Sequence, residues 1–290
     1  MRFPALKILL LFAFPAGAGT LSIDVAKAKS DCTCSSIGVA AQIVEQPATY
    51  FASTNEYFPT ASTFKLPIAV VFLGLVDAGR FRIDQKISVT PADLQPGVSP
   101  IADAHPRGAD LPASYVLNQM ITASDNTAAN TFIRICGGPA RVTALLRARV
   151  VDGIDVATDE HSMNTRDDFL RNRTTPGAMV KLLVRLYSGG LLSPASTSFL
   201  EHALEETKTF PGRIKGLLPP GTVVAHKTGT GGIHGQVAWA VNDVGVITLP
   251  DHRHLALAIF VQDSRANEAA ADRLIAQLAR AAFDRAASAH

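Results

Sequence analysis

Alternation of apolar and polar positions, enriched in β-branched residues, marks residues 37–44 and 50–53 near the start of the chain and 222–228, 236–241 and 255–262 near its end. A strand is predicted at each. From Ser62 to about Glu206 the apolar spacing changes to three and four, which predicts helices over 111–123, 127–135, 139–148, 176–187 and 194–205. Several open on Pro or a Ser/Thr cap, and one closes on Ser188-Gly189-Gly190. A final helix over 267–284 sets Ala271, Leu274, Ile275, Leu278 and Ala282 on one face. Strands at both ends with helices between them predict an α+β fold. The sheet lobe spans about 35–60 and 210–290, an antiparallel sheet of about five strands completed by both chain ends, and a helical lobe spans about 61–209. Residues 149–173 are polar and aperiodic, the longest loop, and loops of that length carry function.

Composition narrows the class. The chain has 290 residues, 47% of them apolar and 18% charged, enough to bury a sizeable core and too apolar for disorder. Arg2 and Lys7, the apolar run 8–14 and Ala16-Gly17-Ala18 read as a secretory signal over 1–18, with an alternative cut after residue 28. A single catalytic domain is expected over 19–290. Arg2 and Lys7 leave with the signal, so 25 basic residues face 25 acidic ones and no polyanionic partner such as nucleic acid is indicated. Of three cysteines, Cys32 and Cys34 lie one residue apart in a strand-like stretch and are expected to point to opposite sides. No disulfide framework follows, and a bridge from either to Cys136 stays open.

The apolar run 61–79 carries Ser62 and, three residues on, Lys65. Residues three apart share a helix face, so the pair lies side by side at the first turn. A serine hydroxyl attacks only when a neighbouring base takes its proton, and a crowded lysine can serve. The helix N-terminus adds free N–H groups and a positive field for developing negative charge. Two further motifs accompany it: Ser124-Asp125-Asn126 between two helical segments, and His226-Lys227-Thr228-Gly229-Thr230-Gly231-Gly232 on a strand. The second is no phosphate loop, because Ala225 and His226 stand where one needs glycine. Its glycines suit close approach of extended backbone to a ligand.

The three motifs, in this order, resemble the penicillin-recognising serine enzymes, and most closely the class A β-lactamases. The resemblance covers nearly the whole mature chain. Glu160 and, four residues later, Asn164 resemble the glutamate and asparagine of the class A loop; Asp159 is the rival carboxylate at the wrong spacing. The resemblance implies that Ser62 attacks a strained lactam, with Lys65 and Glu160 as alternative activating bases. Ser124 relays a proton to the leaving nitrogen, and the Ser62 and Thr230 N–H groups hold the oxyanion. Lys227, Thr228, Gly229 and Thr230 receive the substrate carboxylate, with Arg213 helping, and Asn126 binds the side-chain amide. Glu160 and Asn164 hold the water that frees the acyl-enzyme. Relatives lacking that pair stay acylated.

Departures refine the resemblance. The loop neck, closed by an Arg–Asp pair in many members, is expected at Thr158 and Arg173, and His161 follows the glutamate where proline is common. With Arg213, and with Gln236 where other members carry that arginine, the pattern is similar to the extended-spectrum branch of the PER and VEB types. His226 is expected to be structural. His252 and His254 lack an acidic or cysteine partner in sequence, so no metal and no cofactor are expected. The expected partner is a β-lactam, with neither nucleic acid nor membrane, and the mature chain is expected to be a periplasmic monomer. The alternatives are a D,D-peptidase and a β-lactam sensor that acylates and stops.

Overall fold

The computed structural model describes residues 23–149 and 151–289; the expected signal, 1–18, lies outside them. The sheet lobe opens with α1 (Val25–Asp31), β1 (Ser36–Ile43), β2 (Phe51–Ala52) and β3 (Phe58–Pro59). The helical lobe follows: α2 (Lys65–Asp77), β4 (Lys86–Val89), α3 (Pro100–Ala104), β5 (Ala109–Pro112), α4 (Ala113–Thr122), α5 (Asn126–Ile135) and α6 (Pro139–Ala148). Next come β6 (Ile154–Asp155), α7 (Arg166–Arg171), β7 (Arg173–Thr174), α8 (Pro176–Tyr187) and α9 (Pro194–Glu205). The chain returns to the sheet through β8 (Val224–Thr230), β9 (Ile233–His234), β10 (Val237–Thr248) and β11 (His254–Ser264), and ends in α10 (Glu268–Ser288).

The strands stand in the order β2-β1-β11-β10-β8, with β9 paired to β10. All pairings are antiparallel, and β1 zips along β11 from Ser36↔Gln262 to Ile43↔Leu255. The two ends of the chain therefore complete one sheet, as the hydropathy pattern predicts. Both faces of that sheet are covered, so its central strands are apolar on both sides and not strictly alternating. On β11, Leu255, Leu257, Ile259 and Val261 pack with Leu274, Ile275 and Leu278 of α10. Ala256, Ala258 and Phe260 face the helical lobe, where Phe260 stacks on Phe58 with ring centroids 5.9 Å apart.

Between the lobes, α2 is buried on every side from Lys65 to Gly74, which is why its sequence shows no polar face. Caps fix the helices around it: Asp125, Thr175, Ser193 and Asn267 each accept the N–H three residues on. Helices α6, α8 and α9 begin and end where the sequence predicts. The helix predicted from 111 starts at Ala113, because 109–112 form β5 against β4. The long loop is not structureless: β7 pairs with both β3 and β6 in a small sheet, and α7 forms beside it.

The cysteine expectation is corrected. Cys32 and Cys34 are bonded to each other, and Cys136 is free and buried. Their stretch is a turn between α1 and β1, not a strand, and it brings the two Cα atoms to 5.3 Å, within disulfide reach. Burial pushes the Cys136 thiol up to about 12, which leaves it inert. His254 has the acidic partner its sequence neighbours lack: its Nδ1 lies 2.7 Å from Glu45 Oε1. Among the described residues no group of three or more His, Cys, Asp or Glu is placed to hold a metal, and no helix is long and apolar enough to cross a membrane.

Candidate active site

Ser62 stands on a 3-10 turn, Ala61–Phe64, that runs straight into α2. The turn enters from Ala61 at φ 43°, a left-handed conformation that costs an L-residue about 1 kcal/mol or more and marks a functional turn. Ser124, between α4 and α5, is left-handed too, at φ 59°. Strand β8 passes against the Ser62 turn so closely that a Cβ on Gly229 would come within 2.8 Å of Thr60 O and 3.0 Å of Ser62 N. Only glycine fits there. Asn242 on β10 donates its amide to Pro59 O (2.8 Å) and Thr60 O (3.0 Å), tying the sheet to the same turn.

Lys65 is fully buried and meets only oxygens. Its Nζ lies 3.3 Å from Ser62 Oγ, 2.8 Å from Ser124 O, 3.4 Å from Ser124 Oγ and 3.0 Å from Glu160 Oε1, and it also donates to Asn126 Oδ1. Burying an ammonium is tolerable because these acceptors replace its water. Across the site, Lys227 donates to Ser124 Oγ at 3.0 Å and to Thr228 O at 2.9 Å. Ser124 is therefore flanked by both ammonium groups. Burial, and then the like charge of Lys65, hold Lys227 well below the ordinary lysine range.

Glu160 arrives on the 149–173 loop. Its backbone N–H donates to Asn130 Oδ1 (2.9 Å) on α5, and its Oε1 is buried beside Lys65 with no aligned hydrogen bond of its own. The loop neck is closed by Asn172, whose Oδ1 accepts from the N–H groups of Ala157 (2.7 Å) and Thr158 (3.0 Å) and whose amide donates to Thr158 O (3.0 Å). This corrects the expected neck positions in one place: Thr158 stands at the neck as expected, but the residue facing it is Asn172 and not Arg173. Arg173 instead bonds Asp155, at the surface. A neutral amide makes both donor and acceptor contacts to backbone, so no ion pair is needed.

Ser62, Ser124, Asn126, Glu160, Thr228 and Thr230 line one cavity of about 560 Å3. Two expected residues stand elsewhere. Asn164 is exposed and donates its amide to His161 O (2.8 Å), and Met163 takes the place at the cavity wall. Arg213 is fully buried behind β8, where it bonds Asp272 (2.7 Å), Gly229 O (3.1 Å), Asn242 O (3.0 Å) and Thr230 Oγ1 (2.7 Å). Its link to the cavity is the hydrogen bond to Thr230, which lines it. His226 is structural as expected, its Nδ1 2.9 Å from Asp243 Oδ2 with both side chains fully buried. Sequence reasoning passed over Asn130, Asn172, Asn242, Phe169, Thr209 and Phe210. Asn130 and Asn242 lie in helix and strand patterns, and Asn172 in an aperiodic loop, none of which gives a sign of their loop and turn partners.

A serine on a strained turn, two buried lysines and a carboxylate around one cleft define the class of acyl-serine enzymes of the penicillin-recognising fold. The profile of the β-lactamase enzyme family matches residues 23–286, and the chain belongs to that family. It is 37% identical over 269 residues to β-lactamase VEB-1 of Pseudomonas aeruginosa, covering 90% of this chain and 88% of the relative. With the extended-spectrum β-lactamase PER-1 of Pseudomonas aeruginosa it is 36% identical over 232 residues, 79% of this chain and 75% of the relative. A solved β-lactamase from Chitinophaga pinensis superposes with a TM-score of 0.86 at 35% identity, covering 90% of this chain and 97% of that one. The expected class, fold and PER/VEB-like branch are all met.

Proposed function

We propose that this chain hydrolyses the lactam ring of penicillins and cephalosporins through a covalent acyl-serine intermediate, and so confers β-lactam resistance. The observation that carries the reading is Lys65 Nζ standing 3.3 Å from Ser62 Oγ and 3.0 Å from Glu160 Oε1. In acylation, Ser62 Oγ loses its proton and bonds to the lactam carbonyl carbon, with the oxyanion on the Ser62 and Thr230 N–H groups. The ring C–N bond then breaks, and the nitrogen takes a proton through Ser124, which Lys65 and Lys227 both contact. Lys65 serves as base once it has passed a proton to Glu160; alternatively Glu160 takes the proton directly through water. The substrate carboxylate is received by Lys227, Thr228 and Thr230, Gly229 letting the strand approach and Arg213 fixing the Thr230 hydroxyl. Asn126 binds the side-chain amide.

In deacylation Glu160 removes a proton from water, the oxygen bonds to the acyl carbon, and Ser62 leaves with a proton. Turnover of a chromogenic cephalosporin by the purified mature chain tests the reading; a single stoichiometric burst with no further hydrolysis would contradict it. The exposed Asn164 favours a second reading, acylation with slow release, in which Glu160 positions the water without an asparagine. Pre-steady-state kinetics with substrate in excess separate the two, since slow release gives a burst followed by a slower steady state. Export to the periplasm and a monomeric state complete the proposal.

A further inference from the structure

Five non-glycine residues among those described have a left-handed backbone: Ala61, Ser124, Phe210, His252 and Asp263. The first three line the active-site cavity. Ala61 turns the chain into the nucleophile and Ser124 is the proton relay, but Phe210, at φ 46°, has no part in the steps above. A bulky aromatic at positive φ is a true outlier, and such strain persists where the surroundings hold it. Here they do. Arg213 Cζ lies 3.9 Å from the centroid of the Phe210 ring, and that guanidinium is itself locked by Asp272, Gly229, Asn242 and Thr230. The cation takes one side of the ring, and the ring contributes an apolar wall to the cavity.

Its place along the cavity follows from Thr209, which precedes it in sequence and hydrogen-bonds through its hydroxyl to Thr228. Phe210 thus adjoins the end of the cleft assigned to the substrate carboxylate. In a cephalosporin the ring carbon beside the carboxylate-bearing carbon is C3, which carries the variable second arm. We propose that Phe210 is a specificity-determining residue that receives a flat apolar group carried at C3 of a cephalosporin. The proposal rests on the β-lactamase reading and deepens it.

The test compares two cephalosporins with the same acyl side chain, one bearing a dinitrostyryl group at C3 and one a methyl. The ratio of their kcat/KM values is measured for the unsubstituted enzyme, Phe210→Gly and Phe210→Leu, with a melting curve for each. Phe210→Gly is expected to lower the styryl-to-methyl ratio about tenfold, chiefly through KM. Its melting temperature should hold or rise, because glycine adopts this φ without strain. If the glycine variant does not fold, Phe210→Leu decides, with a fall of about threefold expected. A ratio within about twofold of the unsubstituted enzyme's in the variant that folds would overturn the proposal. Failure of the unsubstituted enzyme to turn over either compound would overturn the β-lactamase reading itself, and the proposal with it.

Discussion

Lys227 is enclosed completely and faces a second ammonium, so holding it charged costs free energy that folding must supply. With its folded pKa below the unfolded one, that cost is present in full below the folded value and disappears as pH rises toward the ordinary lysine range. Two outcomes follow. The alkaline limb of kcat/KM for carboxylate-bearing substrates should fall below the ordinary lysine range, and Lys227→Arg should move it upward, as pH–rate profiles can show. Lys227→Met should raise stability at neutral pH by about 1 kcal/mol while cutting kcat/KM by about a hundredfold or more. The three motifs were legible in sequence because their side chains are themselves the chemistry. The left-handed turns at Ala61, Ser124 and Phe210 were not, since nothing about an alanine, a serine or a phenylalanine signals positive φ.

At the scale of elements, the loop that carries Glu160 is fastened at three points. Asn172 closes the neck; Phe169 packs on Trp239 with centroids 5.4 Å apart and leaves no room for a Cβ on Gly231; Arg166 pairs with Asp263 at 2.8 Å. Asn172→Ala removes three hydrogen bonds to backbone, at about 1 kcal/mol each, and a weaker one to Met163 Sδ. The variant should lose roughly 2–3 kcal/mol of stability by denaturant titration. It should also show acyl-enzyme accumulation, because release, in which Glu160 must hold the attacking water, depends on its position more steeply than acylation does. The Arg166 guanidinium holds the Asp263 carboxyl below the usual range, so this fastening is at full strength above the unfolded aspartate value and fades as pH falls through the folded one. Asp263→Asn should remove that part of the acid limb of stability. The sequence showed a long functional loop but misplaced its neck by one residue, at Arg173 instead of Asn172, because a neck read from spacing alone depends on loop length. The short strands β3, β6 and β7 pair only through that folded loop, and two-residue runs carry no periodicity.

For the molecule as a whole, β1 against β11 makes the sheet dependent on both ends of the chain, and the cleft lies where helical lobe and sheet meet. The hydropathy pattern carried this arrangement because the surface helices keep their period and the long strands, though buried on both faces, are rich in apolar and β-branched residues between short turns. The fine packing was hidden: Phe260, one of several buried apolar residues on β11, stacks on Phe58 from a strand too short to predict. The Cys32–Cys34 bridge closes a very small loop, so reducing it should lower stability by no more than about 2 kcal/mol, as denaturant curves with and without reductant would show. The lobes are joined chemically by Lys227 on β8, whose Nζ donates to Ser124 Oγ at 3.0 Å, and the site is centred on the contact of Lys65 with both Ser62 and Glu160. The direct test is intact-protein mass spectrometry of Glu160→Gln mixed with a good penicillin substrate. The account predicts an adduct of the whole β-lactam on Ser62, formed more slowly than by the unsubstituted enzyme but persisting long after that enzyme has cleared its own. Steady-state turnover of that variant at the unsubstituted rate, with no adduct, would contradict it.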